Sequence, residues 1–277
     1  MNKLAAQLLR VAMLTSICAP VLAEDCKFSS ERDASFTGSV KKVVVSASAG
    51  SLKIHGDAAG GVKAKGRACA SSEGLLGKIA LESRREGDIV YLTVVMAEGV
   101  GDMFSFNRYS SLDLDIVVPK DAQLDVTDTS GDVELSEVGA AQVTDTSGDL
   151  LLKNINGELT VNDSAGEIRI VTVTGNIKLD DSSGGIDIED ARGDVKIVSD
   201  SSGDIAIAKV GGSVDVMEDS SGDITVREVK RNVNIHKDTS GNINVSDVGG
   251  SFIVGADSSG SILHERVSGS VRIPAKT

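Results

Sequence analysis

The sequence predicts an all-β fold, a parallel β-solenoid, on three observations. A short phrase recurs at nearly constant spacing, two alternating apolar stretches follow each copy, and glycine marks two places in most repeats. The phrase is an aspartate, two small residues and a glycine: D-T-S-G or D-S-S-G in seven copies and D-S-A-G in one. Its glycines are Gly131, Gly148, Gly166, Gly184, Gly203, Gly222, Gly241 and Gly260, spaced by 17, 18, 18, 19, 19, 19 and 19 residues. Self-similarity at so short a period means stacked coils, none of which can bury its apolar face alone.

The elements follow in chain order. Residues 1–23 read as a signal peptide, with Lys3 and Arg10 as a basic n-region and Val11 to Val21 as a short apolar core. Val21-Leu22-Ala23 places small residues at the -3 and -1 positions, so cleavage after Ala23 is expected. Lipidation at Cys18 is disfavoured by Ile17, which stands where a small residue is wanted. No later apolar run approaches the roughly 20 residues of a membrane span. The expected product is exported, periplasmic or at the cell surface, without a span in the mature chain.

Residues 24–125 are expected to form a small N-terminal β cap domain. Strands are read at 42–48, 51–55 and 112–118, with a hairpin of 78–83 and 89–96 turning at Glu86-Gly87-Asp88. Cys26 and Cys69 survive processing, and in an oxidising compartment one disulfide between them is the simplest reading. Two buried free thiols are the alternative.

Residues 126–277 form the repeats. Two residues after each phrase glycine stand Val133, Leu150, Ile168, Ile186, Ile205, Ile224, Ile243 and Ile262. Four after it stand Leu135, Leu152, Ile170, Ile188, Ile207, Val226, Val245 and then His264. This alternation is that of a strand with one buried face. A second pair begins eleven residues after the glycine, as in Leu159 with Val161 and Val214 with Val216. Between the strands runs a further apolar column containing Val138, Ile155, Val173, Val210, Val229, Val248 and Val267. A second turn carries Gly157, Gly175, Gly193, Gly212, Gly250 and Gly269, with Arg231 in one coil, so it does not strictly require a positive φ. Eight coils about 4.8 Å apart give a rod roughly 40 Å long. Pro274 ends strand pairing.

The leader, the stretch S-A-G-S-L-K-I at 48–54, V-P-K-D-A-Q-L at 118–124 and the D-S-S-G-D-I repeats together resemble the bacterial putative-adhesin family. The resemblance covers roughly residues 40–273. It implies an exported β-solenoid with an adhesin-like role, and it brings no catalytic residues to carry over.

Charge is uneven. Residues 24–120 hold 13 basic and 13 acidic groups, whereas 121–277 hold 13 and 28, a net of -15. Such a surface repels nucleic acid and suits cations or basic partners, or simply keeps the rod soluble. One aspartate column stands out: Asp128, Asp145, Asp163, Asp181, Asp200, Asp219, Asp238 and Asp257. A partial acidic column follows the glycines at Asp132, Asp149, Glu167, Asp204 and Asp223, lapsing to Gly185, Asn242 and Ser261. Calcium would be the metal for stacked carboxylates. The lapses favour a structural turn ladder instead, with each aspartate at the solvated surface accepting turn N–H groups. No cofactor is implied.

The chain has seven aromatic residues, and Tyr91, Phe104, Phe106 and Tyr109 fall within nineteen positions. Phe104, Phe106, Arg108 and Tyr109 are candidates for contact with an envelope protein or a glycan, or for covering the end of the solenoid. The three histidines, His55, His236 and His264, lie in different segments, and no H-E-x-x-H, G-x-S-x-G or phosphate-loop pattern occurs. The leading reading is a non-enzymatic, adhesin-like binding or envelope-interaction module. A carbohydrate-active enzyme acting at the cap and a calcium-stabilised structural rod are the alternatives.

Overall fold

The structure, a computed structural model, describes residues 26–58, 60–96 and 108–275. It is a parallel β-solenoid of two facing sheets, one of thirteen strands and one of twelve. In each repeat the stretch after the turn glycine enters the first sheet and the next stretch enters the second. One coil contributes Leu150–Ile155 and Leu159–Asn162; three coils on, the pair is Ile205–Val210 and Val214–Val216. Each strand pairs in parallel with its equivalent in the next coil, so Ile168 lies between Leu150 and Ile186. Like therefore stands on like, and the apolar columns merge into one core in which Ile205, Val214, Ile224 and Phe252 have no exposed surface.

The column of Val138, Ile155 and Val173 needs a device that strand alternation does not supply. It lies three residues beyond the preceding inward residue, an odd step that should face outward. The residue before it is left-handed in all eight coils: Glu137, Asn154, Thr172, Asp190, Lys209, Glu228, Asp247 and Arg266 have φ between 52° and 60°. That residue drops out of the ladder, Lys153 pairing with Val171 and Ile155 with Val173. The chain bends there and the next side chain swings inward. A non-glycine residue pays on the order of 1 kcal/mol or more for this conformation, and the burial of a Val or Ile offsets it at about 1.5–3 kcal/mol.

At the other corner the phrase glycines hold the coils together. Gly222 has φ +132°, and a Cβ on it would lie 1.7 Å from the carbonyl oxygen of Gly203. Equivalent clashes of 1.6–2.1 Å recur from Gly131 to Gly260. The glycines are thus required twice over, for conformation and for the close approach of backbones.

The N-terminal region continues both sheets. Lys42–Ser46 pairs in parallel with Gln123–Thr127, and Leu52–Asp57 pairs in parallel with both Val133–Ser136 and Ser110–Pro119. Antiparallel strands then take over: Val62–Ala70 against Ser110–Pro119, and Phe28–Glu31 and Ala34–Phe36 against Val62–Ala70. The hairpin is Ala80–Glu86 with Ile89–Val95, closed by Gly87 at φ +60° and Asp88. A one-turn helix, Glu73–Leu76, is capped by the Ser72 hydroxyl. The disulfide Cys26–Cys69 ties the first strand to this end, with the two Cα atoms 5.6 Å apart. The strand Val62–Ala70 escapes sequence reading because its inward residues after Val62 are small ones, Ala64, Gly66, Ala68 and Ala70. Among the described residues no helix is long and apolar enough to cross a membrane.

Two substitutions separate these roles. Gly222→Ala is expected to destabilise the fold by about 3 kcal/mol or more, because neither stacked backbone can yield. Ile205→Asp should cost several kcal/mol by burying an unpaired charge, while Lys178→Ser on the exposed face leaves stability unchanged. Urea unfolding midpoints check all three; equal midpoints for Ile205→Asp and Lys178→Ser would reverse the assignment of faces.

Candidate binding surfaces and the buried aspartate row

The polar residues of the repeat divide into those that join coils and those that face outward. The second small residue of the phrase joins coils through its hydroxyl: Ser183 donates to the Ser164 carbonyl at 3.0 Å and Ser221 to the Ser201 carbonyl at 3.1 Å. The residue after the glycine accepts the equivalent N–H of the next coil. Asp204 Oδ1 takes the Asp223 N–H, Asp223 Oδ1 the Asn242 N–H, and Asn242 Oδ1 the Ser261 N–H, at 2.8, 2.8 and 3.2 Å. Asn242 does this as an aspartate does, so the column selects an oxygen acceptor rather than a charge. The second turn repeats the device, with Asn176, Asp194 and Asn232 accepting from Asp194, Ser213 and Ser251.

The aspartates that open the phrase behave differently. They were expected at the solvated surface, and the structure corrects this: Asp128, Asp145, Asp163, Asp181, Asp200, Asp219 and Asp238 are 0–6% exposed, and only Asp257, near the end, is half-buried. Their backbones are locked in ladder geometry, Asp200 and Asp219 donating N–H bonds to Glu218 and Lys237 in the following coil. The corner then turns each carboxyl inward and leaves the hydroxyl residues outside. Asp163, Asp181 and Asp200 accept turn N–H groups at one oxygen, at 2.7–3.3 Å. Their second oxygens, and both oxygens of Asp128, Asp145, Asp219 and Asp238, are buried without a hydrogen-bond partner.

Burial pushes the Asp128 and Asp219 carboxyls up to about 7 and those of Asp163, Asp200 and Asp238 up to about 6. Asp145 and Asp181 are raised for the same reason. The charge of neighbouring aspartates adds to the effect, notably Asp200 and Asp238 on Asp219. The N–H groups of Ser220 and Ser221 oppose it at Asp219 but lie outside hydrogen-bonding geometry. At about 4.8 Å and an effective dielectric near 20, two ionised neighbours repel by roughly 3 kcal/mol. In water the same pair would repel by roughly 1 kcal/mol.

Several outward positions instead set opposite charges side by side. Arg169 pairs with Asp187, Lys209 with Glu189 at 2.7 Å, Lys237 with Glu218, and Arg266 with Asp247 through two bonds of 2.6 and 2.9 Å. These exposed pairs contribute little stability each, and like charges also meet outside, Lys178 standing beside Lys196 where water screens them. The left-handed corner, which sequence reading missed, borders an open groove of about 770 Å³ lined by Arg192, Lys209, Glu228, Lys230, Asp247 and Arg266. Its signal was the odd three-residue step in the apolar columns. A second depression of about 790 Å³ lies on the N-terminal strands beside Lys53, Lys65, Arg67, Asp113 and Asp115.

Of the aromatic candidates, Phe104 and Phe106 lie outside the described residues. Arg108 is exposed. Tyr109 is 41% exposed, and its hydroxyl accepts the Lys27 N–H at 3.1 Å while its backbone bonds Ser71. It therefore sits beside the Cys26–Cys69 disulfide. His264 is exposed in the last coil, with its ring 6.1 Å from that of Phe252.

A two-sheet parallel solenoid whose repeated polar residues serve coil stacking defines a class of repeat scaffold. The Toastrack DUF4097 family model matches residues 39–277, and the chain belongs to that family. No curated protein matches it. A solved structure from Parabacteroides merdae ATCC 43184, described as a putative adhesin, shares the fold at 12% identity and a TM-score of 0.53, over 88% of this chain and 95% of that one. A putative adhesin from Bacteroides fragilis NCTC 9343 aligns at 14% identity over 89% and 97%, with a TM-score of 0.41. A protein described as a putative lipid binding protein, from Parabacteroides distasonis ATCC 8503, aligns at 16% identity over 88% and 96%, with a TM-score of 0.45.

Two outcomes are expected. Gly185→Asn supplies the missing acceptor for the Asp204 N–H and meets only the flexible end of Glu167; it should stabilise by roughly 1 kcal/mol, read as a higher urea midpoint. Calcium needs six to eight oxygens, and no group of three or more His, Cys, Asp or Glu among the described residues is placed to hold a metal. Melting temperatures in calcium and in chelator should therefore coincide, and a saturable rise with calcium would overturn this.

Proposed function

We propose that the protein is an exported, non-enzymatic binding module of adhesin type, contacting an envelope protein or glycan through the outward faces of its solenoid. The observation that carries this reading is the contrast between the two sides of each strand. Inward columns repeat one residue type, whereas the adjoining outward column runs Arg169, Asp187, Ala206, Thr225, Asn244 and Leu263. Coil stacking constrains the first set and leaves the second free to present varied chemistry on a rigid support. Residues 24–125 act as the N-terminal cap and 126–277 as the rod, after removal of residues 1–23. Phe104, Phe106, Arg108 and Tyr109 are further candidate contact residues within 24–125. The fold shared with a structure described as a putative adhesin supports the assignment.

The test is binding of the labelled protein to isolated bacterial envelopes. Charge reversal at Arg169 with Arg227, at Lys178 with Lys196, and alanine at Phe104, Phe106, Arg108 and Tyr109 probe the first face, the second face and the cap. At least one set should weaken binding about tenfold, equivalent to about 1.4 kcal/mol, with melting unchanged. Wild-type affinity in all three sets, or no envelope binding by the wild type, would reject the reading.

A further inference from the structure

The buried aspartate row has no use in the proposed binding role, yet it runs through seven successive coils and is the most costly feature of the interior. Four observations bear on what it does. The seven aspartates are only 0–6% exposed. Eleven of their oxygens lack a hydrogen-bond partner. Parallel bridges join Asp200 to Asp219 and Asp219 to Asp238, which fixes neighbouring side chains at ladder spacing. The charged groups that act on the row are themselves acidic: Asp132, Glu167, Asp180, Asp223 and Asp257. Lys237 and Glu218 adjoin it in sequence but are exposed and pair with each other.

No cation therefore balances these carboxylates, and turn N–H groups reach only one oxygen each of Asp163, Asp181 and Asp200. What the column itself can supply between neighbouring carboxyl groups is a proton. A carboxylic acid donates to a neighbouring carboxylate in a short, charge-assisted bond, which converts the repulsion of two like charges into an attraction and satisfies one unpartnered oxygen on each side.

We propose that the row binds protons as a unit: alternate carboxyls from Asp128 to Asp238 are protonated in the folded protein, and each donates its proton to the carboxylate of an adjacent coil. The protons come from solvent on folding and return to it on unfolding. The rod is thereby strengthened by acid. Carboxyls raised in the folded state hold protons that the unfolded chain, with ordinary aspartates near 3.9, has already lost. Their contribution is complete below about pH 4 and is lost as pH rises through the folded values of about 6 to 7. Asp88, Glu189 and Asp247, held low by Lys41, Lys209 and Arg266, act with the opposite sign, and only in more acid solution.

The experiment uses the full chain after leader removal. Melting temperature is followed from pH 5 to pH 8, and infrared difference spectra record the carbonyl stretch of protonated carboxylic acid at pH 6. The wild type should melt higher at pH 5 than at pH 8 and show protonated carboxyl at pH 6. In Asp200→Asn/Asp219→Asn the amides donate permanently, so this variant should melt at or above wild type at pH 8 and depend less on pH; the three histidines are untouched. A melting temperature that rises from pH 5 to pH 8, or no protonated carboxyl at pH 6 in the wild type, would overturn the proposal. The infrared measurement needs no variant and stands even if the asparagine protein fails to fold.

Discussion

Backbone stacked on backbone at the separation of a parallel ladder is the constraint from which the rest of this molecule follows. It is tightest along the phrase glycines, where the carbonyl of one coil occupies the space a Cβ of the next would need. Once that contact is made, residues of equal rank in successive coils must stand one above another. The apolar columns then become a continuous core, and each polar column becomes a chain of contacts between coils. Asp204, Asp223 and Asn242 are equivalent in such a chain because each offers an oxygen at the height of the next N–H group.

Stacking like on like has a cost wherever the repeated residue is charged. On the outward faces the sequence eases it with opposite charges set side by side, Arg169 with Asp187, Glu189 with Lys209 and Asp247 with Arg266, and water screens the like pair Lys178 and Lys196. In the interior it does not: seven aspartates stand in one column with no cation among them. Burial raises their affinity for protons, and shared protons are the neutralising partner that the same geometry can accommodate in every coil. The repeat that makes the rod regular also makes its stability respond to pH.

A rod of this construction separates support from recognition. The inward residues and the turn phrase are committed to stacking, which leaves the outward columns, the left-handed corner and the N-terminal strands as the surfaces open to other molecules. Those are the places where the residue changes from coil to coil. The N-terminal strands also change the pairing from parallel to antiparallel, which ends the repeat and places Tyr109 and the disulfide at the same end.

The solenoid was legible in the sequence because period and alternation are backbone properties written directly into spacing. The eight phrase glycines, the Ile and Val columns and the hairpin around Gly87 could all be assigned from residue type and position. The left-handed corner was not legible: Glu137, Thr172, Lys209 and Arg266 carry no local preference for a positive φ, and only the demand to bury the following Val or Ile selects it. Nor was the burial of the aspartates, since D-S-S-G reads equally well as an exposed turn. Spacing along the chain determined how many coils there are and which residues stack. Which way the corner carboxyls point, and hence whether they meet water or one another, was decided only when two sheets closed around them, because desolvation is a property of the assembled interior and not of any stretch of chain.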